Sequence, residues 1–209
     1  MNWHDDFVVL NDNVSSCKKC QSLCKEAIYP TFGIFPENLE DIKIMFLGQA
    51  PAKPLPREIE WNKKRDQLDS AQINKVYSEA MKISRFGKWV HGLVTELQLD
   101  WKNVGFTNFV KCYPTNHQIV QEMEDNCLGY VKQQMDFITA NVYVTLGSYS
   151  LMKFTDGEFT SSAKHHATSI NYKGKLLIPS VHPSFLFRHS DLTNKKYNSQ
   201  LLQEIKKHI

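Results

Sequence analysis

The stretch "IKIMFLGQAP", residues 42–51, carries the pattern that decides the fold. Its apolar run from Ile42 to Leu47 stops at Gly48, which is typical of a buried strand that feeds a loop. Three further stretches repeat this plan, a short β-rich run halted by polar residues, Gly or Pro: "VGFTNFV" (104–110), "NVYVTLG" (141–147) and "KLLIPSVHP" (175–183). The sequence therefore predicts four strands.

Helical patterns lie between the predicted strands. Trp89, Leu93, Val94 and Leu97 recur at helical spacing. The run 119–138 has a similar period at these positions: Met123, Cys127, Tyr130, Val131, Met135 and Ile138. Strands that alternate with helices indicate crossover connections, so we expect a three-layer α/β/α fold around a central four-stranded, mainly parallel sheet.

The composition suits one domain that spans residues 1–209, since 42% of the 209 residues are hydrophobic. The net charge of +3 and the pI near 8.5 favour a polyanionic partner, although solvated surface lysines give the same balance. The N-terminus lacks the blocks of a secretory signal, and no apolar run approaches the roughly 18 residues of a membrane span. We therefore expect a soluble, cytoplasmic monomer without membrane association.

The segment 52–82 breaks the alternation, because two prolines and dense mixed charge interrupt it. We interpret it as an atypical insertion that forms an extended loop, partly helical toward its end. Long connections in compact domains are often binding loops or lids. In a parallel sheet, ligands bind outside the carboxyl ends of the strands, so the candidate site residues follow Leu47, Val110, Leu146 and Val181.

The cysteines form a second pattern. Cys17, Cys20 and Cys24 lie in "CKKCQSLCK", whereas Cys112 and Cys127 are separated by fourteen residues. A C-x2-C pair is a common chelating unit, and two further thiolates would complete either a zinc site or an iron–sulfur cluster. The alternative is that Cys127 is a core residue and the C-x2-C a reducible pair. Cys24 is a spare thiol in either case.

Several segments, by their order and spacing, resemble the uracil-DNA glycosylase superfamily, and most closely its iron–sulfur branch, family four. They are the C-x2-C of residues 17–20, "FLGQAP" (46–51), "TNFVKCYPTN" (107–116), Cys127, "VTLGSYSLMKF" (144–154) and "SVHPSFLFR" (180–188). The resemblance implies a monofunctional DNA glycosylase that flips uracil or a related modified pyrimidine out of DNA, hydrolyses its N-glycosidic bond and leaves an abasic site. It also implies a [4Fe–4S] cluster on Cys17, Cys20, Cys112 and Cys127. The N-terminal segment that binds this cluster is expected at residues 14–30.

The resemblance also assigns roles at the predicted edge of the sheet. The family's base-binding Asn matches Asn108, whose amide offers both a donor and an acceptor to a pyrimidine. The stacking Phe matches Phe86 in "SRFGKW", and the His that donates to the departing base matches His182. The first motif places Gly48 and Ala50 beside the base.

Contacts to DNA are expected mainly from "SFLFRH", in which an apolar tip would wedge into the base stack while polar groups hold phosphates. The expected DNA-binding residues are Lys111, Ser184, Phe185, Leu186, Phe187 and Arg188. We interpret His165 and His166 as part of a surface loop near DNA rather than as catalytic groups.

The first motif departs from the family pattern. Gln49 stands where the branch usually has Glu, and Ala52 replaces its second Gly. Ala50 takes the place of the Asp that activates water in other members, so a backbone-held or Gln49-held water is expected to attack. A few positions further on, the branch usually has an acidic residue that excludes thymine from the base pocket. The matching position in this sequence is about Leu55.

This last difference opens a second interpretation, in which the enzyme excises a C5-modified cytosine, hydroxymethylated or glucosylated, from phage DNA as a defence. An interpretation of another class is a non-catalytic, metal-stabilised DNA-binding module.

Overall fold

The computed structural model of the protein describes residues 3–20, 23, 30–53 and 67–209. In this part of the chain one sheet holds five strands: β1 (Ile44–Gly48), β2 (Val104–Asn108), β3 (Val142–Leu146), β4 (Ile170–Tyr172) and β5 (Lys175–Ser180). Their order across the sheet is β2-β1-β3-β5-β4, and among them β4 alone runs antiparallel to its neighbour. The four predicted strands and the mainly parallel sheet are confirmed.

Strand β4 corrects the predicted count of four strands to five. It turns into β5 at Lys173 and Gly174, whose φ angles of 50° and 76° are both positive. Two successive positive φ angles are typical of the two-residue turn that matches the twist of a hairpin. A strand of three residues is too short to show an alternating pattern in the sequence.

Helices cover both faces of the sheet. The described helices are α1 (Trp3–Ser15), α2 (Ser70–Ile83), α3 (Arg85–Glu96), α4 (Gln121–Phe137), α5 (Gly147–Phe154), α6 (Pro183–Leu186) and α7 (Asp191–Ile205), with short 3-10 turns at Leu39–Asp41, Trp101–Asn103 and Thr115–His117. Both helices that periodicity predicted are therefore confirmed, as α3 and α4. None of the described helices is long and apolar enough to cross a membrane.

The two faces of β1 pack into different cores, because successive side chains of a strand point to opposite sides. Met45 and Leu47 face the core that includes residues of α1, α4 and α5. Ile44 and Phe46 face the core that includes α3 and α7. This arrangement confirms the predicted three-layer α/β/α architecture.

The helical end of the 52–82 segment is also confirmed, since α2 begins at Ser70. Residues 54–66 of that segment lie outside the described residues. Helix α2 ends at Ile83, and the next residue, Ser84, caps both α2 and α3: its hydroxyl donates to Met81 O at 2.6 Å and accepts from Gly87 N at 2.9 Å. A Cβ on Gly87 would lie 1.9 Å from Met81 O, so only glycine permits this tight junction, which brings Phe86 to the edge of the sheet.

Candidate active site

A cleft of about 810 Å³ opens at the carboxyl edge of the parallel strands. Gly48 at the end of β1, Asn108 at the end of β2, Leu146 at the end of β3 and His182 just after β5 all line it. These positions are the strand ends at which a parallel sheet binds its ligands. The structure thus brings together the site residues that the sequence placed in four separate segments.

Asn108 is packed directly against Gly48. The two residues are paired across β1 and β2, and a Cβ on Gly48 would lie 2.2 Å from Asn108 Oδ1. Glycine is therefore required at position 48 so that the Asn108 side chain can occupy its place. The Asn108 side chain is nearly buried, with 6% of the residue exposed, which holds its amide in one orientation at the wall of the cleft.

Aromatic side chains form another wall of the cleft. Phe86 lines it, and its ring centroid lies 5.2 Å from that of Phe106 and 5.7 Å from that of Trp89. Because its neighbours hold it from behind, the Phe86 ring is a fixed apolar surface. The position is suitable for stacking against a planar base.

His182 has a defined proton arrangement. Its Nδ1 accepts from Ser184 N at 3.2 Å and lies 2.7 Å from Ser184 Oγ. Because a backbone N–H only donates, Nδ1 carries no proton, and the neutral ring presents its Nε2–H as a donor. The ring is open to the solvent of the cleft, yet desolvation by the surrounding protein, and then the charge of Arg188, lower the pKa of His182 below its ordinary value.

The loop after β1 is held by main-chain bonds. Phe109 N donates to Gly48 O at 3.0 Å, and Val110 N donates to Gln49 O at 2.9 Å. Gln49 and Ala50 both line the cleft, whereas Leu55 lies outside the described residues. Among the described residues that line the cleft, none is an Asp or a Glu, so this part of the site has no carboxylate to serve as a general base.

The loop that follows His182 divides into an outer and an inner part. Ser184, Phe187 and Arg188 line the cleft, and Arg188 Nε donates to Ser184 O at 3.0 Å. Arg85 lies over the Phe187 ring, 4.9 Å from its centroid. A cationic and apolar rim therefore borders the cleft on this side.

Two residues of the predicted apolar tip point elsewhere. Leu186 is only 2% exposed, so the prediction that it enters the DNA stack is wrong for this conformation: its side chain packs in the protein interior. Phe185 is half-buried and lies over His189, with ring centroids 3.9 Å apart, and against Tyr197. Of the three predicted apolar residues, Phe187 is the one at the cleft.

Lys111 is also not where the sequence predicted it. It is 1% exposed, so it does not reach a DNA phosphate. Its ammonium donates to Thr107 Oγ1 at 2.7 Å, to Asn108 O at 2.8 Å and to Gln134 Oε1. Burial lowers the pKa of Lys111 to about 7, while the Cys127 thiol acts in the opposite direction. The residue ties the end of β2 to helix α4.

The four predicted cluster ligands lie in one region. Cys20, Cys112 and Cys127 are buried in the same apolar cluster, and Cys17 is half-exposed. Burial raises the pKa of Cys127, and the nearby Cys20 and Cys17 thiols act in the same direction. Cys24 lies outside the described residues.

Backbone and amide donors already face two of these thiols. Lys111 N donates to Cys127 Sγ at 3.4 Å, and Asn126 Nδ2 donates to Cys20 Sγ at 3.4 Å. Such donors stabilise thiolates. The donor set therefore suits an iron–sulfur cluster chemically, although within the described ranges no group of three or more His, Cys, Asp or Glu side chains is arranged to hold a metal ion.

The two adjacent histidines have different surroundings. His165 is half-buried and packs edge-on against Phe159, with ring centroids 5.2 Å apart. His166 is half-buried and bonds to two main-chain groups, Val181 N and Tyr197 O. Burial lowers the pKa of His166, while the bond to Tyr197 O raises it. The interpretation that both histidines lie in a surface loop is therefore wrong for His166, whose ring bonds to main-chain groups behind the cleft.

Some lining residues had no signal in the sequence. Tyr77 and Met81 of α2 and Tyr113 beside Cys112 line the cleft, and Arg85 covers Phe187 at its rim. Tyr77 and Met81 belong to the 52–82 segment, which matches no motif. Tyr113 could have been suspected from its place in the loop that follows β2.

An α/β/α domain that places an amide, an imidazole and aromatic faces around one cleft at the carboxyl edge of its sheet meets the requirements for holding a base removed from the DNA stack. Fold and site together define the class of DNA glycosylases, hydrolases of N-glycosyl bonds. A sequence model of the Uracil DNA glycosylase superfamily matches residues 35–206, and the chain belongs to that superfamily.

Three relatives carry the same name, Type-4 uracil-DNA glycosylase. The protein of Thermotoga maritima is 26% identical over 174 residues, which are 82% of this chain and 80% of the relative. That of Sulfurisphaera tokodaii is 28% identical over 189 residues, 86% of this chain and 75% of the relative. That of Saccharolobus solfataricus is 26% identical over 189 residues, which are 86% of this chain and 76% of the relative. The resemblance to the family four branch is confirmed by these similarities.

Proposed function

We propose that the protein is a monofunctional DNA glycosylase that excises uracil from DNA by hydrolysis of the N-glycosidic bond and leaves an abasic site. The observation that carries the proposal is the close packing of Asn108 on Gly48 at the wall of the cleft that His182 also lines. The Asn108 amide suits recognition of the pyrimidine, and the His182 imidazole suits stabilisation of the leaving base.

The base would be held on its edge and on its face. The Asn108 amide offers a donor and an acceptor to the polar edge of uracil, and its burial keeps it from turning. Phe86 offers an aromatic surface to the ring. Gly48 and Ala50 contribute main chain without bulk, so the base can approach the end of β1.

Departure of the base would be assisted by His182. Breaking the N-glycosidic bond leaves negative charge on the pyrimidine, part of it on a carbonyl oxygen. The neutral His182 ring donates its Nε2–H to that oxygen, because Nδ1 is already engaged by Ser184 N. A lowered pKa keeps the ring neutral near pH 7, so it acts as a hydrogen-bond donor rather than as an acid.

Attack by water would not depend on a carboxylate. Because Ala50 stands where other members of the superfamily carry the Asp that activates water, we infer that the water is held by Gln49 or by main-chain groups of the same loop. A weakly held water suffices when the bond to the base is largely broken before water attacks, because the positive sugar is then a strong electrophile. Among the described residues that line the cleft, Lys53 is the one lysine, and no lysine takes a nucleophile position in the motifs, so we expect no Schiff-base chemistry.

DNA would be bound along the rim of the cleft. Ser184 and Arg188 are exposed and suited to phosphates, and Phe187 beside Arg85 offers an apolar surface to the space left by the flipped base. The flipped nucleotide would enter between this rim and Phe86.

A [4Fe–4S] cluster on Cys17, Cys20, Cys112 and Cys127 would join the N-terminal segment to the end of β2 and to α4. The cluster would supply a structural crosslink, and the bonds from Lys111 N and Asn126 Nδ2 would stabilise its thiolates. Anaerobically purified protein should absorb near 400 nm with roughly four irons per chain. Colourless protein that binds zinc would contradict this assignment, and Cys112→Ser should abolish the absorbance.

A second substrate is favoured by the size of the cleft. Its volume of about 810 Å³ includes a wall from Tyr77 and Met81 of α2, within the 52–82 insertion. This space would accept a base with a bulky group at C5, such as hydroxymethylated or glucosylated cytosine of phage DNA, and the enzyme would then serve in defence. Oligonucleotides with uracil, a thymine mismatch, hydroxymethylcytosine and its glucosylated form separate the two; cleavage of uracil alone rejects the second.

One pair of variants tests the enzyme against a non-catalytic DNA-binding module. Asn108→Ala and His182→Ala should each keep the fold and the affinity for DNA that contains an abasic site, yet lose excision. Asn171→Ala, at an exposed position of β4, is the matched control and should behave as the wild type. Wild-type protein that binds DNA but excises none of the four bases would reject the enzymatic proposal.

A further inference from the structure

His166 lies directly behind the proposed leaving-base histidine. Its Nδ1 accepts from Val181 N at 3.2 Å, and its Nε2 lies 3.0 Å from Tyr197 O. A main-chain N–H only donates and a carbonyl only accepts, so both bonds form together in one neutral tautomer, with the proton on Nε2. The bond to Val181 N bears on the site because Val181 is the residue before His182.

The hydrogen bond from Val181 N to His166 lies just beyond the end of strand β5. Strand β5 ends at Ser180, and Val181 is the next residue. Ala167 N donates to Pro179 O at 2.8 Å, so residues 166 and 167 both bond to the main chain at this strand end. Strand β3 pairs with β5 as far as Ser180, and the 166–167 turn adds the bond that holds the next residue, Val181.

The same histidine connects this strand end to the helix behind it. The Tyr197 ring of α7 lies 4.7 Å from the His166 ring and 5.8 Å from the Phe185 ring of α6, measured between centroids. Phe185 follows His182 by three residues. His166 and Tyr197 therefore contact the catalytic loop both before and after His182.

We propose that His166 is a positioning residue: its imidazole, as the Nε2–H tautomer, sets the main chain at Val181 and thereby the place from which His182 reaches the leaving base. The effect on excision rests on the proposed function, whereas the hydrogen-bond arrangement does not. A displacement of about 1 Å at a reacting group costs on the order of 100-fold in rate, so a loose Val181 should be visible in catalysis.

Two substitutions separate the roles of the two ring nitrogens. In His166→Asn the side-chain oxygen takes the place of Nδ1 and still accepts from Val181 N. In His166→Gln the amide reaches the place of Nε2 and faces Tyr197 O, but Val181 N loses its acceptor. His165→Asn is the matched control, because the His165 ring packs on Phe159 instead of contacting the strand end.

Single-turnover excision of uracil should distinguish these variants. His166→Asn should stay within about threefold of the wild type, whereas His166→Gln and His166→Ala should lose roughly 10- to 100-fold in rate with the KM for DNA changed by less than about twofold. His165→Asn should be unchanged. Equal rates for His166→Asn and His166→Gln, or a loss that appears in KM alone, would reject the positioning role.

A second measurement does not require activity. Nitrogen NMR of the imidazole should show a bare Nδ1 and a protonated Nε2 at neutral pH, and amide exchange of Val181 should be about tenfold faster in His166→Gln than in the wild type and in His166→Asn. The opposite tautomer, or unchanged exchange, would overturn the inference. If the wild type excised no base, the proposed function would fail, and these two results would still decide on the arrangement.

Discussion

Gly48→Ala tests the contact on which base recognition depends. The new Cβ would lie 2.2 Å from Asn108 Oδ1 and 3.2 Å from Phe106 Cζ. An ordinary C···O contact is about 3.3 Å or longer, so Asn108 Oδ1 would have to retreat by about 1.1 Å or its side chain would have to rotate. Either movement takes the amide away from the position at which it would bind the base.

The expected loss in rate follows from that displacement. A misplacement of about 1 Å at a positioning group costs on the order of 100-fold, so the single-turnover rate on uracil DNA should fall by about this factor. The fold should survive: overpacking costs about 1–3 kcal/mol, and replacing glycine by alanine in a strand returns about 0.5–1 kcal/mol. Thermal unfolding and binding to abasic-site DNA should therefore change little compared with the rate.

Gly129→Ala provides the matched control. Gly129 lies inside α4 with nothing within 4 Å of an added Cβ, so the substitution should stabilise the protein by about 0.5–1 kcal/mol and leave excision unchanged. If Gly48→Ala excised uracil at the wild-type rate, the close packing of Asn108 on Gly48 would not be what orients the amide, and the proposed role of Asn108 would be refuted.

Four further substitutions or conditions have expected outcomes. Lys111→Met leaves the buried acceptors of β2 and α4 without their donor, so it should lower the free energy of unfolding by about 1–3 kcal/mol in urea titration; an unchanged midpoint would contradict this. Since the pKa of His182 is lowered, the unfolded state takes up a proton near pH 6.5 before the native state does. The contribution of His182 to stability therefore falls as the pH drops below that value. For the same reason, excision should persist to a lower pH than a His with an ordinary pKa would allow. Arg188→Ala should move that acid limb of the rate profile upward, because it removes one cause of the shift. Gly147→Ala should cost about 1–2 kcal/mol and slow excision, because φ is +85° there and the new Cβ would lie 3.0 Å from His182 Cβ; calorimetry and the rate on uracil DNA measure the two effects.

The sequence was sufficient for the strands and helices that carry strong patterns. The apolar run 42–47 and its three repeats predict the parallel strands, because a strand buried on both faces needs a continuous apolar run. The same period that predicts α4 also brings Cys127 to the face that packs against Cys112. Strand β4 was missed because its pairing depends on the turn at Lys173 and Gly174 rather than on its own composition.

The sequence was also sufficient to predict, through the resemblance of short motifs, that Asn108 and His182 lie at one edge of the sheet. Asn108 and His182 each follow an apolar run, and parallel strands carry their carboxyl ends to one edge. The direction in which a side chain points was less predictable. Lys111 is a charged residue between two site residues, which suggested a DNA contact, yet its three donors find acceptors in the interior. Burial of a lysine depends on acceptors that come from distant parts of the chain, and no local pattern reports them.

What the sequence by itself determined is the alternation of apolar runs and helical periods, and with it the sheet, its edge and the residues at that edge. Only the tertiary structure decided which side chains face the cleft: Phe187 rather than Leu186 at the rim, and His166 behind His182 rather than on the surface. The physical reason is the range of the interactions. Strand and helix patterns arise from neighbours in the chain, whereas the orientation of a loop side chain depends on hydrogen bonds and close contacts with residues far away in the sequence.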